Sequence, residues 1–155
     1  MSAQPTENAT LSAAATSSRR ELDGARLPLA GLAGAGLAAA GNLAVFGVAR
    51  AAGVSLMGQF DPKAPPAALP IAMVVIASVV PALVATAALA VMNRLMRKPA
   101  RVFAAIAAVF GLLSMGGPAT LQGADGATKA TLALMHVVAA AAIATALLRG
   151  ARPKI

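Results

Sequence analysis

The chain has 155 residues, of which 59% are hydrophobic and only 12% charged, with a mean hydropathy of +0.78. That is too apolar for an ordinary soluble domain of this length and points to one integral membrane unit. The net charge of +8 would suit a nucleic-acid binder, but Trp and Tyr are absent and the basic residues flank apolar runs, so the partner they imply is the lipid bilayer and not nucleic acid. The chain has no cysteine, which excludes disulfides, thiolate catalysis and cysteine metal sites.

Residues 1–26 are rich in Ser, Thr and charged side chains without periodicity, and are expected to form a disordered cytoplasmic tail that packs against nothing. Within it, Ser18-Arg19-Arg20-Glu21-Leu22 resembles a twin-arginine export signal, and Ala38–Ala40 would offer small residues for cleavage. Against that reading, Asp23 follows the arginines, the apolar run continues to Val48, and three more apolar runs come after it. An uncleaved first span explains all three features.

Four runs free of Lys, Arg, Asp and Glu follow, at about 27–48, 67–92, 102–121 and 130–148, each near the ~20 residues that ~30 Å of hydrocarbon requires. A soluble four-helix bundle would carry a polar stripe on every helix, yet 71–92 offers only Ser78 and Thr86, and 130–148 only Thr131, His136 and Thr145. Ten of the 13 basic residues fall before the first span, between the second and third, and after the fourth; only three fall in the other two gaps. The positive-inside rule therefore predicts an all-α, up-down-up-down four-helix membrane bundle over 27–148, with both termini cytoplasmic and a basic tail at 149–155. Alanine accounts for 43 residues and barely favours insertion, so the spans depend on their larger apolar residues and on close packing of small faces.

In the first span Gly31, Ala35, Ala38 and Asn42 recur every three or four residues and share one helix face, the expected helix-packing face. Asn42 is expected to make an interhelical hydrogen bond, with ligand contact the competing reading. The loop at 50–66 is too long for a tight turn. Val54, Leu56, Met57 and Phe60 are expected to lie along the interface as a short amphipathic segment stopped by Asp61-Pro62 and Pro65-Pro66.

Pro81 interrupts the second span and is expected to kink it, with Ser78 re-satisfying the carbonyl of Ala77. The third span is expected to be helical only over 102–115, because Gly116-Gly117-Pro118 breaks it, leaving 116–126 as irregular backbone. The fourth span carries His136, the single histidine, roughly 10 Å below the outer surface and level with Asn42.

Asn42, Ser114 and His136 thus form the candidate intramembrane polar cluster. An ionisable group inside a span is a functional hypothesis by default, although neutral imidazole is cheap to bury once hydrogen-bonded. Structural hydrogen bonding is the favoured reading, ahead of a quinone or other small-ligand contact and a proton relay. One histidine with no cysteine and no carboxylate inside a span cannot assemble a metal site, so neither metal nor other cofactor is expected. Ser114 with His136 lacks an orienting carboxylate except Asp125 in the loop, and no nucleotide or protease motif is present, so no catalytic residue is expected.

The segments Ser114–Pro118 and Lys129–Val138 resemble a family of small bacterial four-helix membrane proteins of unknown function, some labelled cell-envelope biogenesis proteins. The resemblance covers about 27–148, supports the four-span topology and implies no activity. The expectation is a non-enzymatic, envelope-associated structural or interaction protein of the bacterial cytoplasmic membrane, self-associating through the first span or binding a membrane-protein partner. The alternative is a small-molecule or minor transport protein with a polar site in the outer leaflet.

Overall fold

The computed structural model describes residues 22–152, in which four helices are long and apolar enough to cross a membrane. A single 3-10 turn at Gly24–Arg26 leads into α1 (Leu27–Ala51), where Pro28 occupies the first turn and so costs no hydrogen bond. α2 spans Ile71–Leu95, α3 Pro99–Ser114, α4 Gly116–Thr120 and α5 Gly126–Gly150. Two short strands, β1 (Met57–Gly58) and β2 (Ala67–Ala68), pair antiparallel between α1 and α2. The export-signal reading at Ser18–Glu21 and most of the expected tail lie outside the described residues.

Four sequence expectations need correction. Residues 67–70 do not belong to the second span: Pro70 holds Leu69 extended, and Leu69 N donates to Leu56 O at 2.9 Å. The stretch after Ser114 is not irregular throughout. Pro118 cannot donate to Ser114, which ends α3, but it is tolerated in the first turn of the new helix α4, so only Leu121–Asp125 lack helical structure. The segment at 54–60 is not a stand-alone interfacial element, because Leu56 turns inward and is fully buried. Finally, Leu22 belongs to the packed structure: it is buried, its carbonyl accepts from Asn93 Nδ2 at 3.4 Å, and Asp23 N donates to Ala151 O at 2.7 Å.

The helix contacts follow from small residues. A side chain built at Gly31 would strike Thr86 of α2, and one at Gly34 would lie 3.3 Å from Ile143 Cα of α5. Ala30 meets Gly150 whereas Gly41 meets Val138, so α1 and α5 run in opposite senses. α1 packs most extensively on α5 and then on α2, while α3 is held more thinly, burying only Pro99 and Phe103.

Two apolar clusters result. One lies at the end where Leu22 and Ala151 meet and includes Leu22, Leu27, Leu89, Phe103 and Leu147. The other lies at the opposite, loop end and gathers Ala49, Leu56, Leu69, Val74, Leu132 and Met135. α2 continues as one helix through Pro81.

Candidate functional site

Between the two clusters lies a polar layer, one helical turn from Ala38 and Ala82 on one side and from Val45 and Val74 on the other. Asn42 of α1 is 5% exposed, and its Nδ2 donates to Ser78 Oγ of α2 at 2.9 Å. Ser78 Oγ in turn donates to Val74 O at 2.7 Å, so it holds its proton away from Asn42 and serves it only as an acceptor. Ser78 therefore does not repair the carbonyl freed by Pro81, as the sequence suggested; it fixes the Asn42 amide. Asn42 Oδ1 has no hydrogen-bond partner among the described residues, an acceptor left orphaned in apolar surroundings.

The other two cluster residues are occupied locally. Ser114 Oγ donates to Gly111 O at 2.7 Å, and His136 Nδ1 lies 2.8 Å from Leu132 O one turn earlier in α5. A carbonyl can only accept, so Nδ1 is the donor in this contact. Among the described residues no hydrogen bond joins Asn42, Ser114 and His136 to one another. Gly111 approaches Ala140, placing α3 against the α5 face that His136 shares, whereas Asn42 turns toward α2. The partner missed from sequence is Ser78. Its signal was depth: Asn42 and Ser78 lie roughly 10–14 Å from the loop ends of their helices.

Gly31, Ala35 and Ala38, assigned as the packing face, are all buried inside the bundle. Since Gly31 abuts Thr86, this face serves contacts within the chain and is not available to a second copy.

The loop end closes over this layer through polar ties. Gln59 N donates to Gln122 O at 2.9 Å, and Gly123 adopts a positive φ of 69° with Pro66 packed where a side chain would stand. Asp125 caps α5 by accepting Thr128 N at 2.6 Å, and Ser55 Oγ donates to its other oxygen at 3.2 Å. The Thr128 backbone N–H and then the Thr128 side chain hold the Asp125 carboxyl below its usual value; burial opposes them, and the Ser55 hydroxyl adds the smallest lowering effect. A lowered pKa contributes stability that is complete above the unfolded value, about 3.9. That contribution is lost as pH falls through the lower folded value. The thermal midpoint in detergent is expected to fall less between about pH 5 and about pH 3 for Asp125→Asn, which keeps a capping oxygen, than for the parent chain. Equal falls would mean that this cap does not form.

Among the described residues no group of three or more His, Asp or Glu side chains gathers to hold a metal. The layer can donate, accept and bind through hydrogen bonds, but presents no nucleophile activated by a base. No curated protein and no solved structure matches the chain. A family model does match, over residues 23–153, so that it takes in all four apolar helices, the capping loops and the buried polar pair, and the chain belongs to that family of unknown function, DUF6069.

Proposed function

We propose that the chain is a non-enzymatic, four-span protein of the bacterial cytoplasmic membrane that acts by lateral association with a second copy of itself. Its helices alternate up and down, with both termini in the cytoplasm. Charge supports this orientation: of the ten described basic residues, seven (Arg26, Arg94, Arg97, Lys98, Arg101, Arg149 and Arg152) lie at the end where Leu22 and Ala151 meet, which the positive-inside rule puts in the cytoplasm.

The observation that carries self-association is a flat seam on the outward side of α1. Gly36 and Gly47 have open space where a side chain would stand, and Ala40 and Ala44 between them are exposed, directly opposite the buried Gly31–Ala38 face. The outward face of α2 carries bulky Ile76, Val80, Leu83 and Val84 instead. Small residues four apart let two backbones approach closely, which is how helices associate in lipid without a hydrophobic driving force between them. Leu37 and Leu43, both exposed, flank the seam and can pack beside it.

A second reading rests on the orphaned Asn42 Oδ1: a small lipophilic molecule with a hydrogen-bond donor, such as a quinol, would satisfy that acceptor. Native mass spectrometry of the full chain released from membranes separates the two. The expected result is a dimer that Gly36→Ile with Gly47→Ile converts to monomer without lowering the thermal midpoint, because neither position has a neighbour to disturb. A monomer carrying a small-molecule adduct that Asn42→Ala abolishes would support the second reading, and an empty monomer would sink both.

A further inference from the structure

We propose that the groove between α1 and α5 at the end where Leu22 and Ala151 meet holds one anionic phospholipid, with an acyl chain in the groove and the phosphate against Arg26 and Arg149. The groove encloses about 760 Å³ and opens sideways. Its walls are Ala33 and Leu37 of α1 and Ala141 and Thr145 of α5, and its mouth carries the two arginines. It exists because the helices are pinned at close contacts, Ala30 on Gly150 and Gly34 on Ile143, while the adjoining outward positions bear side chains too short to fill the angle between them. Hydrocarbon is the solvent on this face, so the occupant of an unfilled apolar groove open to it is an acyl chain.

The mouth selects the headgroup by charge. Arg26 Nε lies 3.2 Å from Asp23 Oδ2 and its Nη1 donates to Arg152 O at 3.5 Å, which fixes the guanidinium plane and leaves Nη2 for a phosphate oxygen. Arg149, in the last turn of α5, makes no ion pair among the described residues. Arg26 and Arg149 line the mouth and Asp23 pairs with the first of them, so among the described residues the mouth is net positive, and basic pockets between membrane helices on the cytoplasmic side suit anionic headgroups over zwitterionic ones.

This inference rests on the membrane orientation proposed above, and the two fail separately. The test uses the full chain in vesicles of equal phosphatidylglycerol and phosphatidylcholine, extracted gently and weighed by native mass spectrometry. One retained phosphatidylglycerol per chain is expected, in preference to phosphatidylcholine. Arg149→Gln should lower that preference about fivefold, equivalent to about 1 kcal/mol for one arginine near the surface. Ala33→Phe, which fills the groove from an exposed position and spares the arginines, should abolish retention of either lipid at an unchanged thermal midpoint. Arg97→Gln, on the linker at the same end, should change nothing. Equal retention of both lipids by the parent chain, retention in Ala33→Phe, or an equal effect of Arg97→Gln would overturn the proposal. Because the chain has no cysteine, labelling a single Arg152→Cys in right-side-out vesicles reports the orientation independently: reaction from outside would refute the orientation, whatever the lipid result.

Discussion

Gly31→Leu is expected to destabilise the bundle by about 1–3 kcal/mol or more, the usual cost of forcing side-chain volume into a packed contact. Even the first carbon of the new side chain has no room: it would meet Thr86 Oγ1, with Cγ2 at 2.8 Å and Cβ at 3.0 Å. Thr86 cannot simply rotate away at no cost, because its hydroxyl donates to Ala82 O at 2.6 Å. Gly34→Leu should be comparably damaging for a different reason. There the nearest atoms are Ala146 Cβ at 3.2 Å and the main chain of Ile143 at 3.3 Å, and a backbone atom moves only if α5 moves. The two sites are separated by rescue. Gly31→Ala with Thr86→Ala should recover most of the midpoint lost by Gly31→Ala alone, since the obstacle is a side chain, whereas Gly34→Ala should not improve on removing Ala146 Cβ through Ala146→Gly. Thermal unfolding in detergent measures both, and a Gly31→Ala chain as stable as the parent would show that α1 and α2 are not in this register.

These glycines also show why some of the structure was legible in the chain and some was not. The four spans stand out because a membrane helix must be free of charge, and Pro28, Pro99 and Asp125 mark three of the helix starts by ordinary capping chemistry. Which face of each helix turns inward is far harder to read. In water the inward face is apolar and the outward one polar, but in lipid both are apolar, so periodicity of hydrophobicity carries little. Size is the remaining signal: α1 buries Ala30, Gly31, Gly34, Ala35 and Ala38 and exposes Leu29, Leu32 and Leu37. That signal identified the Gly31–Ala38 face, yet in a chain so rich in alanine it did not reveal that Gly36, Ala40 and Gly47 form a second small face opposite. The polar layer was half legible. Asn42 announced itself as the one amide inside a charge-free run, but its choice of Ser78 over His136 depends on how α1 is rotated between α2 and α5, which no local pattern encodes.

Leu56→Ala is expected to cost about 2–5 kcal/mol and to loosen the loop end before the rest of the bundle. Leu56 is fully buried among Ala49, Leu69, Val74, Leu132 and Met135, and its carbonyl accepts the Leu69 N–H that joins the strand ribbon to the start of α2. It does this with a φ of +49°, the one positive value among the described non-glycine residues. That conformation costs an L-residue roughly 1–2 kcal/mol, a strain the side chain offsets by filling the cluster. The backbone is held there because residues 53–56 must turn the chain from the end of α1 back over the cluster, after Gly53, itself at a φ of 80°, has reversed it. The consequence distinguishes strain from packing. Leu56→Ala loses the packing and keeps the strain; Leu56→Gly loses slightly more packing but releases the strain, at a cost of about 0.5–1 kcal/mol in unfolded-chain freedom. The glycine variant should therefore be no less stable than the alanine variant, reversing the order seen at an ordinary buried site. Thermal midpoints give the order, and the rate of trypsin cleavage after Lys63, in the exposed turn between the two strands, reports where the structure opens. Both variants should be cut faster at Lys63 at temperatures where cleavage at Arg94 and Arg97 is unchanged. A glycine variant less stable than alanine by a kilocalorie per mole or more would mean that the backbone at Leu56 is not strained.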